Sequence, residues 1–289
     1  MAEPRERWAR ANGLHHHVIE WGQPDAPTVV LCHGFLDVGF SFDRVGRRLA
    51  EGGYRAVAFD FRGHGETDWV ATGGYYHFPD YTLDLHELLP QVADGPVHLL
   101  GHSMGGTVAC MYAGTVPERV RTLTLVEGLG PPAFPTDQTP DKFRTWFDTV
   151  KRARTREPRT MPDLDAAVAR MRMQNPDLSA ELGRFLASKA TRPAEDGSGR
   201  LWRFDPLHRS TSPLPFRLDM FRTFLSRIEA PVLVLAGANG FRLEDEGQRL
   251  AWIGDARFVE LPDVGHMIHW FAPDTLSDHL LGFLTNLPG

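Results

Sequence analysis

The chain has 289 residues, of which 42% are hydrophobic, and its formal net charge is −6. This length is enough to bury a large core, either as one domain or as one domain with an insert. The acidic balance argues against nucleic acid as a partner, because phosphate binding needs a basic face. No apolar stretch approaches the ~20 residues of a membrane span, so we expect no transmembrane helix.

The first residues and the cysteine content predict the compartment. Residues 1–13 are charged and lack the apolar core of a signal peptide. Only Cys32 and Cys110 are present, both in apolar runs, which is too few for a disulfide framework. We therefore predict a cytoplasmic protein in which both thiols fill the core.

Short β-rich runs alternate with amphipathic segments along the chain. After a strand or hairpin at 14–21, strands are predicted at 27–34, 54–60, 96–103, 121–128, 230–237 and 256–262. Helices are predicted at 41–52, 80–93 and 104–115. The later strands are nearly continuous in apolar residues, which is typical of a parallel sheet covered by helices on both faces. The pattern predicts an α/β fold built from βαβ units.

The alternation stops after the strand at 121–128, the sixth strand if 14–21 belongs to a hairpin. We predict a helical cap over residues 128–228, inserted into a core domain made of residues 1–127 and 229–289. The cap contains 18 Lys and Arg against 12 Asp and Glu, a balance of +6, which leaves −12 for the rest. Its basic face is solvated, or pairs with the core, or attracts anionic substrates.

The segment Gly101-His102-Ser103-Met104-Gly105 lies between a predicted strand and a predicted helix. It matches G-x-S-x-G, the pattern of a serine nucleophile on a sharp strand-to-helix turn. A hydroxyl is a poor nucleophile, so the turn must expose Oγ to a base. Small residues on both sides give the strained backbone clearance. The pattern predicts Ser103 as a nucleophile.

Four motifs, in order, resemble the α/β-hydrolase fold superfamily, in particular its capped esterase and epoxide-hydrolase-like branch. They are "LCHGFLD" at 31–37, "DFRGHGETD" at 60–68, "GHSMGG" at 101–106 and "LPDVGHMIHW" at 261–270. The resemblance covers nearly the whole chain. It implies that the backbone N–H groups of Phe35 and Met104 form an oxyanion hole, each contributing about 3–4 kcal/mol to transition-state stabilisation.

The resemblance also implies that His266, directly after the Gly265 turn, is the general base. His269 is the alternative base; it lies about one helical turn later, where it either faces the pocket or packs. Asn239 stands where relatives usually place an aspartate, and an amide cannot stabilise the imidazolium that forms during catalysis.

The third member of the triad must therefore come from another position. Glu127 is our candidate because it ends an apolar strand at the sheet edge where ligands bind, and because some capped relatives carry their acid there. The alternatives are Asp245 and Glu244, and a structural role for Glu127 in binding loop amides remains open.

Four further residues are candidates for the substrate pocket: His33, His102, Trp146 and His269. We expect His33 to hold its loop and His102 to pack beside the serine. The aromatic residues of the cap mostly form its core, while two or three wall the pocket; they are Trp146, Phe147, Trp202, Phe204, Phe216 and Phe221.

The three histidines at 15–17 raise the question of a metal site. Successive strand residues point to opposite faces, so three adjacent histidines cannot all bind one ion. The sequence therefore predicts no metal site and no organic cofactor.

Together these features predict a serine hydrolase. It would cleave a carboxylic ester of a small to medium, partly apolar substrate through an acyl-enzyme intermediate. Epoxide and haloalkane hydrolysis are disfavoured because they use a carboxylate nucleophile at the elbow. Lactone, thioester or carbon–carbon bond hydrolysis remains an alternative, as does a non-catalytic ligand-binding protein. The oligomeric state is left open.

Overall fold

The computed structural model describes residues 3–286 of the chain. Its strands are β1 (Arg5–Ala11), β2 (Leu14–Trp21), β3 (Thr28–Cys32), β4 (Arg55–Phe59), β5 (Val97–His102), β6 (Val120–Val126), β7 (Thr191–Pro193), β8 (Arg200–Trp202), β9 (Val232–Asn239) and β10 (Ala256–Gly265). Its α-helices are α1 (Asp43–Glu51), α2 (Phe78–Val92), α3 (Met104–Thr115), α4 (Thr139–Thr155), α5 (Leu164–Arg172), α6 (Ala180–Ala190), α7 (Leu218–Leu225), α8 (Glu246–Ala251), α9 (Ile268–Phe271) and α10 (Pro273–Thr285).

Eight strands form one sheet in the order β1-β2-β4-β3-β5-β6-β9-β10. Strand β2 pairs antiparallel with β1 and β4, and the remaining pairs are parallel. This mostly parallel sheet confirms the predicted α/β fold class. The sequence did not predict β1 as a separate strand, because Arg5, Glu6 and Arg7 give it a polar start and burial begins only at Ala9.

Helices cover both faces of the sheet, as the continuous apolar strands predicted. Neighbouring residues of β5 show this directly, since Leu99 belongs to the core cluster on one face and Leu100 to the cluster on the other. The first cluster includes residues of α2 and α3, and the second includes residues of α1 and α10. Alternate side chains of one strand are therefore buried on opposite sides.

The strand order reverses between β3 and β5. From β3 the chain moves to β4 on one side, whereas β5 lies on the other side of β3. In open α/β sheets, such a switch point opens a crevice at the carboxyl ends of the strands, where ligands bind. Ser103 follows β5, and the loop of residues 33–38 follows β3, so both lie at this crevice.

The segment between β6 and β9, residues 127–231, is called the insert below. It contains α4 to α7 and a small antiparallel pair, β7 and β8. The sequence did not predict this pair, because its strands have only three residues each. The division into a cap at 128–228 and a two-part core remains a prediction.

The sequence predicted no transmembrane helix, and the lengths and hydropathy of the helices can be compared with that prediction. Across residues 3–286, none of the helices combines the length and apolar character needed to cross a bilayer.

Candidate active site

Ser103 occupies a strained turn between β5 and α3. Its φ is 50° and its ψ is −115°, a backbone conformation that non-glycine residues rarely adopt. Such a residue costs roughly 1–3 kcal/mol and persists only when its surroundings hold it. Here the Ser103 amide donates to the Val126 carbonyl at 3.0 Å, and the Ser103 carbonyl accepts from the Gly106 amide at 3.0 Å.

The glycines of the motif are required by space. A Cβ at Gly101 would lie 2.5 Å from the Gly105 carbonyl oxygen, and a Cβ at Gly105 would overlap the Cys32 carbonyl. Helix α3 therefore begins directly against the end of β3. This packing brings the serine turn next to the loop that follows β3.

The loop of residues 33–38 passes beside Ser103. A Cβ on Gly34 would lie 3.4 Å from Ser103 Cβ. His33 Nδ1 donates to the Gly34 carbonyl at 2.7 Å, while His33 Nε2 accepts from the Phe61 amide at 2.9 Å. His33 thus ties its own loop to the segment after β4.

His64 supports the same loop and was not predicted from the sequence. Its Nδ1 donates to the Arg62 carbonyl at 3.0 Å, and its Nε2 accepts from the Leu36 amide at 3.2 Å. The available signal was the motif at 60–68, which carried the family resemblance but gave no role to this histidine. Burial, followed by the neighbouring His208 and His33, holds the pKa of His64 well below its ordinary value.

The two predicted oxyanion donors lie on either side of this junction. Met104 is the first residue of α3, so its N–H is one of the four that have no partner within the helix. The positive end of the helix dipole also points to this position. Phe35 belongs to the loop beside Ser103, and its side chain is 51% exposed.

Glu127 is buried at the end of β6, with a side chain 0% exposed. Its Oε1 accepts from the Gly237 amide at 2.7 Å, and its Oε2 accepts from the Phe241 amide at 2.7 Å. His266 Nδ1 lies 3.1 Å from the same Oε2. Because a carboxylate only accepts, Nδ1 donates, and the lone pair of His266 is left on Nε2.

His266 follows β10 and reaches the same edge of the sheet. Its side chain is 36% exposed. Its carbonyl lies 3.0 Å from His102 Nε2, and its ring centroid is 4.8 Å from that of His102. The residue beside the predicted nucleophile therefore contacts both the main chain and the ring of the predicted base.

The other carboxylates named from the sequence are placed differently. Asp245 Oδ2 accepts from Arg249 at 2.9 Å, and Glu244 is exposed. Asn239, at the position usual for the acid, is also exposed. The structure joins only Glu127 of these residues to His266.

Three of the four candidate pocket residues are buried instead of lining an open cleft. His33, His102 and His269 are 0%, 1% and 1% exposed. Burial is the main cause that keeps the pKa of His33 and of His102 below the ordinary histidine value. These three side chains are therefore almost inaccessible to solvent, and their part in a substrate pocket stays a prediction.

Trp146, the fourth candidate, lies on the insert. It lines a surface cleft of about 380 Å³ together with Tyr75, Phe147, Lys151 and Arg154. Of the aromatic residues predicted for the cap, Phe221 is buried and Phe147 is 59% exposed.

Two histidine groups bear on metal binding. In the segment 15–17, His15 is exposed, whereas His16 Nδ1 and His17 Nδ1 bond to the carbonyl and the carboxylate of Asp60. A different group, Asp37, His102 and His269, places one ligand atom from each residue within 4.8 Å of the others.

Comparison with known proteins identifies the family. A model of the α/β hydrolase fold matches residues 27–273. The chain is 30% identical over 271 residues to a 3-hydroxybutyrate-oligomer hydrolase of Cupriavidus necator, covering 88% of each chain. It is 28% identical to a serine hydrolase-like protein of Danio rerio, covering 91% of this chain and 83% of that one.

A solved structure gives the same result. The thioesterase domain from the curacin biosynthetic pathway has a TM-score of 0.87 and 28% identity, covering 97% of this chain and all of that one. The chain belongs to the α/β-hydrolase fold family. It is a hydrolase of that fold.

Proposed function

We propose that this protein is a serine hydrolase that cleaves a carboxylic ester through an acyl-enzyme intermediate. Ser103 is the nucleophile, His266 the general base and Glu127 the acid that orients it. The observation that carries the proposal is the hydrogen bond between His266 Nδ1 and the buried Glu127 carboxylate, at the same sheet edge as the strained Ser103 turn.

The first half of the reaction transfers the acyl group to the enzyme. His266 Nε2 takes the Ser103 hydroxyl proton as Oγ forms a bond to the ester carbonyl carbon. The carbonyl oxygen becomes an oxyanion, which accepts hydrogen bonds from the Phe35 and Met104 amides. When the tetrahedral intermediate collapses, the bond to the alkoxy oxygen breaks, and His266 gives its proton to the departing alcohol.

The second half repeats the cycle with water. His266 removes a proton from water as its oxygen attacks the acyl carbon, and the proton returns to Ser103 Oγ when the acid leaves. Throughout both halves, the Glu127 carboxylate faces the imidazolium that forms. The backbone amides of Gly237 and Phe241 donate to this carboxylate and hold it in one orientation towards His266.

Residues 128–228 are proposed as a cap over this site. His208, in the insert, stacks on Tyr76 with ring centroids 3.8 Å apart. Its ring centroid also lies 4.1 Å from that of His64, at a tilt, and 5.9 Å from that of Phe35. The insert therefore contacts the loop that carries one oxyanion donor. The exposed rings of Phe35 and Phe241 favour a small to medium, partly apolar substrate.

Thioester hydrolysis is the second candidate. The similarity to the curacin thioesterase domain favours thioester hydrolysis. The similarity to the 3-hydroxybutyrate-oligomer hydrolase favours ester hydrolysis. The nucleophile, base and oxyanion donors would act in the same way on either acyl group. A cytoplasmic location remains our proposal, supported by the two buried free thiols.

Labelling with a fluorophosphonate tests the nucleophile. We expect covalent modification of Ser103, identified by peptide mass spectrometry, and its loss in Ser103→Ala. The matched control is Ser226→Ala, which removes an exposed hydroxyl of the insert. An unlabelled wild-type protein, or a label on another serine, would contradict the proposal and favour a ligand-binding protein.

Substrate class is tested on the same proteins. Rates for p-nitrophenyl esters, lactones and acyl thioesters of matched chain length are compared. We expect kcat/KM to be highest for esters. A higher value for thioesters would select the second candidate.

A further inference from the structure

A surface cleft between α4 and the segment that precedes α2 takes no part in the proposed mechanism. It has a volume of about 380 Å³, and its apolar walls are Tyr75, before α2, and Trp146, Phe147 and Val150 on α4. Neither the proposed triad nor the two proposed oxyanion donors line it. We propose that this cleft, called the α4 cleft below, is a second ligand site that binds a small aromatic carboxylate.

The apolar walls of the α4 cleft are aromatic and incompletely covered. Trp146 and Phe147 lie four and three residues before Val150, a spacing that places all three on one side of α4. Val150 is the one buried residue among the 17 of this helix, and Phe147 is 59% exposed. The Trp146 ring centroid lies 5.1 Å from that of Tyr75 and 5.5 Å from that of Phe147. These rings offer flat apolar area on which an aromatic ligand can pack.

Two cations, Lys151 and Arg154, line the same cleft. Within residues 3–286, neither side chain forms an ion pair with a carboxylate. Arg154 Nη2 donates to the Tyr75 hydroxyl at 3.2 Å, and the guanidinium carbon lies 5.3 Å from the centre of that ring. This contact places the guanidinium at the aromatic wall and leaves most of its five N–H groups for another acceptor. The cleft therefore presents positive charge that the described chain does not neutralise.

The sign of the ligand follows from the charges of the whole helix. Helix α4 contains five Lys and Arg against two Asp, and neither Asp141 nor Asp148 lines the cleft. A carboxylate at the cleft would accept charge-assisted hydrogen bonds, which are shorter and stronger than those between neutral groups. A cationic ligand would be repelled, and a neutral one would leave both cations without a partner. The charge favours an anion.

The size of the ligand follows from the shape of the cleft. Sites for small molecules are concave, mostly apolar and of about 300–1,000 Å³, with a few polar groups that fix orientation. The α4 cleft lies near the lower end of that range. It therefore fits a ligand of about two fused rings with one carboxylate. A concave wall of this kind suits a small molecule better than a flat lipid surface.

Calorimetric titration of the wild-type protein with sodium 2-naphthoate tests the site without any activity measurement. We expect one molecule bound per chain. The neutral 2-naphthamide has the same rings and nearly the same shape, and we expect it to bind at least tenfold more weakly because it cannot pair with the two cations. No binding of naphthoate, or equal binding of the two compounds, would overturn the proposal.

Variants of exposed or half-buried residues locate the ligand. The double variant Lys151→Gln/Arg154→Gln and the single variant Trp146→Ala should each weaken naphthoate binding at least tenfold. Arg152→Gln is the matched control, since it removes an exposed cation of the same helix that does not line the cleft, and it should leave binding unchanged. Binding that survives in both cleft variants, or that Arg152→Gln weakens as much as they do, would contradict the assignment.

Crystals soaked in 6-bromo-2-naphthoate locate the ligand independently of any variant. A bromine anomalous peak between Tyr75 and Trp146 supports the site. A peak beside Ser103 alone, or none, overturns it. Binding to vesicles of phosphatidylglycerol that Phe147→Ala abolishes, in a protein that binds no naphthoate, would also overturn the proposal and indicate a lipid surface instead.

The inference goes beyond the proposed function and does not depend on it. Naphthoate bound at the α4 cleft of a protein whose Ser103 reacts with no fluorophosphonate supports the site and contradicts the proposed function. Labelling of Ser103 in a protein that binds no naphthoate supports the proposed function and overturns the site.

Discussion

Glu127 is held from three sides, and its own backbone is strained, with a φ of 54°. Two backbone amides and one imidazole donate to its two oxygens. A neutral amide in its place would have to present N–H to at least one donor. Position 127 therefore requires a carboxylate, and it requires a side chain as long as that of glutamate.

Replacing Glu127 by Gln tests this specificity. The variant loses the negative charge opposite the imidazolium and leaves the productive tautomer of His266 unsupported. We expect kcat for a p-nitrophenyl ester to fall by about a thousandfold to ten-thousandfold. Glu244→Gln, an exposed carboxylate nearby, is the control and should change kcat by less than twofold. Equally small effects of both changes would show that Glu127 is not the acid.

Gly240 offers a second approach to the same carboxylate. A Cβ at this position would overlap Glu127 Oε1, so Gly240→Ala must displace the carboxylate. We expect a fall in kcat with fluorophosphonate labelling slowed in parallel. Gly247→Ala is the control, because a Cβ there meets nothing within 4 Å, and alanine favours the helix by about 0.5–1 kcal/mol. An unchanged kcat in Gly240→Ala would contradict the need for a fixed Glu127 position.

Among the elements, α8 anchors the start of the insert. Arg249 in α8 is fully buried and donates to the Leu129 and Pro131 carbonyls and to Asp245. These carbonyls immediately follow the segment that carries Glu127. One buried guanidinium thus joins the core to the first residues of the insert.

Removing the negative partner of Arg249 tests this link. Asp245→Asn leaves a buried charge opposite a neutral amide, and we expect the free energy of unfolding to fall by about 1–3 kcal/mol. Urea denaturation measures the change, while kcat per folded molecule should stay within about threefold. A fall in kcat per folded molecule well beyond threefold would make Asp245 a candidate for the triad acid again.

The elements that the sequence predicted well are those with a strong local signal. A strand or hairpin was predicted at 14–21, the bounds of β2, and a helix at 104–115, the bounds of α3. The α3 signal was clear because the G-x-S-x-G turn marks the start of the helix. Strand β1, and the pair β7 and β8, were missed because polar or very short strands acquire their partners only in the folded chain.

The site was predictable where a motif defines a turn, and less so where contacts join distant segments. Glu127 was named only as a candidate, since its donors Gly237 and Phe241 are 110 and 114 residues away. The role of His64 and the burial of His269 could not be derived from local sequence. Both depend on loops that meet only at the sheet edge.

At the scale of the whole molecule, buried histidines make stability depend on pH. Burial lowers the pKa of several of them; for His208 it falls to about 3, and for His98 to about 4. The unfolded chain, with a histidine pKa near 6.5, therefore binds more protons than the folded chain below pH 6.5. Stability present above pH 6.5 is lost as the pH falls. His17, whose pKa is raised, acts in the opposite sense but contributes fully throughout that acidic range.

Replacing His208 isolates one of these contributions. Between pH 6.5 and 4.5, each such histidine contributes up to about 1.4 kcal/mol per pH unit to the loss of stability. His208→Gln should reduce the slope of unfolding free energy against pH by about one proton, measured by urea denaturation. His86→Gln, which changes an exposed histidine, is the control. An unchanged slope in His208→Gln would show that the His208 ring is protonated or exposed in the folded protein.

The loop of residues 237–241 binds the Glu127 carboxylate through main-chain atoms alone, the Gly237 and Phe241 amides. The side chains at 238, 239 and 241 make none of these hydrogen bonds and are exposed. Under the proposed mechanism, substitutions at these positions would change substrate preference and leave the Glu127–His266 pair unchanged. The loop must keep its backbone conformation, with glycine at 240, whereas its exposed side chains can vary in chemistry.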